Sequence, residues 1–210
     1  MKAYIVGEDK ALMDFFSELE FTDKLKEAKL VIFGEGPIVS PSLYQEKKAP
    51  AVDLKCDINR DRSDKAIYTK LKKDQIAVGV GRGACFLAVM NGAKLIQNVI
   101  RKNSETSYLV ELKKGSDKFN FTAISDWKQV INIESCEGFD LIARSSEIEE
   151  CITDNNDLKR FIRVNGNPEL IRFHKDKQPV SICIQYRPEW LPESYLSKLT
   201  KRFVYECANS

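Results

Sequence analysis

The stretch Val78-Gly79-Val80-Gly81-Arg82-Gly83-Ala84-Cys85-Phe86-Leu87 decides how this chain is read. Ile76 to Val80 is a short apolar run that predicts a strand, and glycines follow at every second position from 79 to 83. Phe86, Leu87, Met90, Leu95 and Val99 then predict a helix with a kink or break near Asn91-Gly92. A strand, a tight turn between small residues and a helix form a nucleophile elbow, whose apex residue is strained above a helix N-terminus. The apex here is Gly81. The glycines alone identify no cofactor. Gly79-x-Gly81-x-Gly83 has the wrong spacing for a dinucleotide fingerprint, and the Gly-Lys-Ser/Thr of a phosphate loop is absent. No cofactor is expected.

Outward from the elbow the same grammar repeats. Ala3 to Val6 reads as a strand before Gly7, and Leu12, Phe15, Phe16 and Leu19 give Ala11 to Leu19 helical spacing. Leu30 to Phe33 reads as another strand, ending in Gly34-Glu35-Gly36-Pro37. Strands that end in glycine-rich turns and lead into helices predict a parallel sheet with crossovers. The second half is richer in strands: Phe119 to Ile124, Gln129 to Ile133, Phe139 to Ala143, Leu170 to Phe173 and Ser181 to Tyr186. Pro192 to Cys207 closes the chain as an amphipathic helix, with Pro192 in its first turn and Tyr195, Leu199 and Phe203 on one face. Ser145 to Lys159, acidic and weakly apolar, reads as a surface excursion.

Composition narrows the classes of function. The chain has 210 residues, 43% hydrophobic and 30% charged, a balance that supports a full core. Its net charge of +2 comes from 33 basic and 31 acidic side chains, so no nucleic-acid partner is implied. Lysine runs such as Lys70, Lys72 and Lys73 are interleaved with acids and read as solvated faces. No run approaches the ~20 apolar residues of a membrane span, and the N-terminal apolar stretch is too short for a signal peptide. A cytoplasmic location is expected. Six cysteines without a Cys-x-x-Cys pair, with a single histidine, argue against zinc and for free thiols. Cys183, within an apolar run, reads as buried structure.

Three stretches in register resemble class I glutamine amidotransferases, and most closely their γ-glutamyl hydrolase-like branch. The elbow and following helix match the branch's Gly-Ile-Cys-Arg-Gly apex. Phe33-Gly34-Glu35-Gly36-Pro37-Ile38-Val39-Ser40-Pro41-Ser42-Leu43-Tyr44 resembles its Gly-Gly-x-Asp-(Val/Ile)-x-Pro-x-x-Tyr loop. Ile184-Gln185-Tyr186-Arg187-Pro188-Glu189-Trp190 resembles its Val-Gln-x-His-Pro-Glu segment. The resemblance spans nearly the whole chain. It implies one α/β domain over residues 1–210: a mainly parallel, flavodoxin-like layered sheet with flanking helices and a β-rich second half.

The departures bear on chemistry. In the family a Cys thiolate attacks the γ-amide carbon, a His carries the proton, and a Glu two residues later orients it. Gly81 stands at the Cys position and Arg187 at the His position; only Glu189 is retained. A guanidinium, with a pKa above about 12, is no base at neutral pH. In the oxyanion loop Glu35 replaces the first paired glycine, beside the retained Gly36, and a carboxylate there opposes a developing oxyanion. The substrate-loop His-His-Gln is Trp127-Lys128-Gln129. The former cleft is therefore read from Glu35, Gly36, Arg82, Trp127 and Gln129, with Arg82 either pairing with Glu189 or Glu35 or contacting an anion.

The resemblance thus implies a catalytically inactive protein that binds a protein partner, or a small anionic or γ-glutamyl ligand in the cleft. Two alternatives stay open. One is an active hydrolase using a displaced Cys85/His174 pair, against the plainer reading that Cys85 packs under the elbow and His174 ends a surface strand. The other is a structural subunit docking on a synthetase. Asn59 to Asp64 reads either as a helix start or as a polar segment of the same branch. Trp127 and Trp190 are candidate partner anchors. Short forms of this kind resemble those carried by bacteriophages, which would place the protein in a host cytoplasm.

Overall fold

A computed structural model of the protein describes residues 1–48, 55–97, 107–114, 117–125, 129–134, 136–145, 148–155 and 158–210. The first half alternates strands and helices as the pattern predicts. β1 (Lys2–Val6) leads into α1 (Lys10–Phe15), whose cap is Asp9, the carboxylate accepting the Leu12 N–H at 3.1 Å. The expected run to Leu19 stops early, because Phe16 leaves helical geometry, yet Phe16 and Leu19 still point into the core. β2 (Glu20–Phe21) and β3 (Leu30–Phe33) flank β1, both parallel to it. α2 (Ile58–Tyr68) starts at Asp57, which accepts the Asn59 and Arg60 N–H groups. β4 (Ile76–Val80), buried along its whole length, runs into α3 (Arg82–Met90).

The helix after the elbow is shorter than its apolar spacing suggests. α3 ends at Asn91, and Gly92 takes the left-handed conformation (φ 88°) that closes a helix without a Cβ penalty. Leu95 therefore lies in β5 (Lys94–Ile96), which pairs antiparallel with a later strand over Val130–Asn132, and Val99 lies outside the described residues.

The second half is almost entirely strand. β6 (Ser107–Lys114), β7 (Asp117–Ile124), β8 (Val130–Asn132) and β9 (Phe139–Ser145) come in close succession. β10 (Ile148–Asn155) and β11 (Leu158–Asn165) form an antiparallel hairpin, so the expected surface excursion contains strands. β12 (Pro168–Phe173) and β13 (Val180–Ile184) follow, and α4 (Tyr195–Asn209) ends the chain. Ser194 caps α4 by accepting the Ser197 N–H, which puts Pro192 before the helix and not in its first turn.

The nine-stranded sheet has the order β2-β1-β3-β4-β13-β12-β9-β6-β7. Pairings from β2 through β13 are parallel, and those from β13 outward to β7 are antiparallel. Alternation along β4 and β13 sends Val78, Val80, Ile182 and Ile184 to one face, where they pack with residues of α1 and α4. Ala77 and Cys183 face the other side with α2 and α3, around Phe33, Phe86 and Tyr68. This is the layered α/β fold the sequence predicted. Its consequence for function is positional: the carboxyl ends of β1, β3, β4 and β13 open onto one edge, and a crevice beyond such ends is where open α/β sheets bind ligands.

Candidate functional site

Gly81 has φ 57° and ψ −115°, a conformation that L side chains rarely adopt. Its N–H donates to the Ile184 carbonyl at 2.9 Å, and its carbonyl accepts the Ala84 N–H at 3.1 Å, fixing the turn to β13 and to α3. The neighbouring glycine is required by proximity. A Cβ on Gly83 would lie 1.9 Å from the Phe33 carbonyl oxygen, because the first turn of α3 rests directly on the end of β3. The backbone of a nucleophile elbow is therefore present in full.

Its apex holds a different group. A Cβ built on Gly81 would fall 1.6 Å from Glu35 Oε1, so the Glu35 carboxylate occupies the volume of an apex side chain. Glu35 Oε1 accepts the Arg82 N–H at the start of α3 at 3.3 Å and pairs with Arg187 Nη1 at 3.1 Å. Arg187 Nε pairs in turn with Glu189 Oε1, and its guanidinium lies 4.5 Å from the ring centroid of Trp190. The Arg187 N–H donates to the Ile124 carbonyl at 2.8 Å, which fixes the residue against β7. Arg187 thus meets both Glu35 and Glu189. Glu189 is buried, and burial raises its carboxyl above the ordinary value although Arg187 acts to lower it.

The Arg82 side chain turns away from Glu35 and Glu189, whose pairing was one of the two roles the sequence left open to it. Its Nε donates to the Pro37 carbonyl at 2.8 Å, Nη2 pairs with Asp61 at 2.6 Å, and Nη1 pairs with Asp64. Arg60 Nε binds the second Asp64 oxygen at 2.8 Å, and Asp61 Oδ2 accepts the Ser40 N–H at 2.9 Å. Asn59 to Asp64 is therefore both the start of α2 and the counter-charge of Arg82. The signal was available: Asp61 and Asp64 sit three apart on one helix face. Gly36 lies against the Arg82 stem, where a Cβ would meet Cδ at 3.3 Å. Gln129 is buried and braces the loop, its side chain exchanging two hydrogen bonds of 2.9 Å with the Val39 backbone. Trp127 and Lys128 lie outside the described residues.

Cys85 and His174 are not brought together. Cys85 is buried within α3, with Sγ 3.9 Å from the Gln129 carbonyl oxygen, and burial pushes its thiol up to about 12. His174 follows β12 at the opposite end of the sheet from the elbow, since Phe173 pairs with Ser181 near the start of β13. It is half-exposed, with Nε2 3.5 Å from Asp140. Its neighbour Lys175 donates to the Asn91 carbonyl, at the far end of α3, at 2.6 Å. From Cys85 to Asn91 the helix rises about 9 Å.

No described helix is long and apolar enough to cross a membrane. The profile of a family described as Peptidase C26 matches residues 19–148, more than half of the chain. No curated protein matches the sequence. Among solved structures, a protein from Thermoplasma acidophilum described as a candidate GMP synthase subunit is 15% identical, with a TM-score of 0.63 over 100% of this chain and 94% of that one. A glutamine amidotransferase from Thermotoga maritima, also 15% identical, has a TM-score of 0.49 over 99% of this chain and 89% of its own. The first of these likenesses shows the shared fold. With the matched profile and the elbow at the carboxyl edge of the sheet, the chain belongs to the Peptidase C26 family and has the fold of class I glutamine amidotransferases.

Proposed function

We propose that this protein is a non-hydrolytic member of its family, in the γ-glutamyl hydrolase-like branch, and that it acts by binding at the former catalytic cleft. The observation that carries the reading is the Glu35 carboxylate seated in the volume of an apex side chain, over a Gly81 that has none. Amide hydrolysis through a covalent intermediate needs a nucleophile at that point and donors free to receive the oxyanion. Here the Arg82 N–H, the donor nearest the apex, already holds a carboxylate. Arg187 supplies a permanent cation in place of a base. A displaced Cys85 is disfavoured by its burial and by a thiol pushed up to about 12, which leaves almost no thiolate at neutral pH.

The test is glutamine turnover by the purified protein. Ammonia release should not exceed the buffer blank, and a cysteine-directed glutamine analogue should leave Cys85 unmodified. Turnover that disappears in Cys85→Ala would sink the proposal and restore the displaced nucleophile.

A further inference from the structure

Glu35 does more than block the apex, because the groups that hold it make up a site. A main-chain N–H at the start of the nine-residue helix α3 and the Nη1 of a nine-tenths buried arginine converge on one carboxylate oxygen. Donors of this kind recognise carboxylates, through charge-assisted hydrogen bonds at a positive helix end. The occupying carboxylate arrives on a flexible side chain that is 30% exposed, from the loop between β3 and Pro37. Arg187 keeps a second partner, Glu189, which would hold the guanidinium in place if Glu35 left.

We propose that Glu35 is a built-in stopper: the Arg82 N–H and the Arg187 guanidinium form a carboxylate-binding site that the chain's own Glu35 fills, and that accepts a small external carboxylate once Glu35 is withdrawn. The inference rests on the non-hydrolytic reading of the elbow and names the ligand class of that cleft. On this reading the wild-type protein has little affinity for free carboxylates. An external anion has to displace an internal one whose effective concentration is set by its tether, in the millimolar range or above.

The experiment compares wild type, Glu35→Ala and Glu35→Ala with Arg187→Met by thermal unfolding, in sodium acetate and in sodium chloride of matched ionic strength. At 100 mM acetate and a dissociation constant of about 10 mM, Glu35→Ala should gain roughly 3 °C or more over its value in chloride. Wild type and the double variant should gain nothing. No acetate-specific gain in Glu35→Ala overturns the proposal, and so does an equal gain in wild type or in the double variant. Should Glu35→Ala fail to fold in chloride, recovery of folded protein on refolding in acetate supports the proposal, and failure in both salts overturns it. Ammonia release from glutamine would sink the non-hydrolytic reading without touching this comparison, so the two failures are distinguishable.

Discussion

Gly81 and Glu35 fit each other as a pair. A positive φ with ψ near −115° would cost an L residue about 1–3 kcal/mol, and hydrogen bonds to β13 and α3 fix the elbow backbone in that conformation. Glycine relieves that strain and also leaves the space that the Glu35 carboxylate takes. Any side chain at 81 must therefore evict Glu35 from the Arg82 N–H and from Arg187. Gly81→Ala should cost roughly 2–4 kcal/mol in wild type, from backbone strain together with the displaced carboxylate. In a Glu35→Gly background only the strain remains, and the cost should fall by about 1 kcal/mol or more. Urea unfolding of the four proteins measures the coupling. Equal costs in both backgrounds would mean that Glu35 does not sit on the elbow in solution.

At the scale of elements, the elbow is positioned by a buried ion cluster between helices. Arg82 on α3 reaches Asp61 and Asp64 on α2, Arg60 joins Asp64 to the end of β1 through the Val6 carbonyl, and Asp61 holds the Ser40 N–H. One cluster thus ties α2, α3, β1 and the loop that carries Glu35. Both carboxylates are almost fully buried, so removing one strands cationic charge away from water. Asp64→Ala should cost about 3–5 kcal/mol, the usual penalty for breaking a buried pair from one side. A shift in urea midpoint corresponding to less than about 1 kcal/mol would show that water or movement of α2 relieves the cluster.

Across the whole molecule, the fold joins a parallel half that carries the elbow to an antiparallel half that braces it. β7 and β8 lie far along the chain, yet the Ile124 carbonyl receives the Arg187 N–H and Gln185 Oε1 receives the Ile131 N–H at 2.9 Å. The stability of this assembly carries a proton-linked contribution from Glu189. Its carboxyl is raised by burial, so between its unfolded value near 4.3 and the raised folded value the native state binds more protons than the unfolded chain. The contribution is fully present below about pH 4.3 and is lost as pH rises through the folded value. Urea midpoints of wild type and Glu189→Gln between pH 4 and 7 should therefore diverge, with wild type losing stability relative to the variant as pH rises. The reverse trend would show that the pairing with Arg187 outweighs burial.

Strands ending in glycine turns, from Ala3-Val6 to Ile76-Val80, were legible in the sequence because period and punctuation are local properties of the chain. So was the elbow, since glycines at 79 and 83 answer to close backbone approach at that turn and Gly81 to its positive φ. The break near Asn91-Gly92 was legible too, but the apolar spacing through Leu95 reads on as helix where the chain, past Gly92, re-enters as β5. The hairpin β10–β11 was missed, its polar strands carrying a weak apolar alternation. The sequence by itself determined the layered fold, a glycine at the apex of the elbow and an arginine at position 187. Only the tertiary structure decided which charges meet: Arg82 goes to Asp61 and Asp64, Arg187 to Glu35 and Glu189, and Cys85 and His174 to different ends of a helix. Charge pairing over tens of residues follows from how the strands' carboxyl ends converge in space, and spacing along the chain does not encode that convergence.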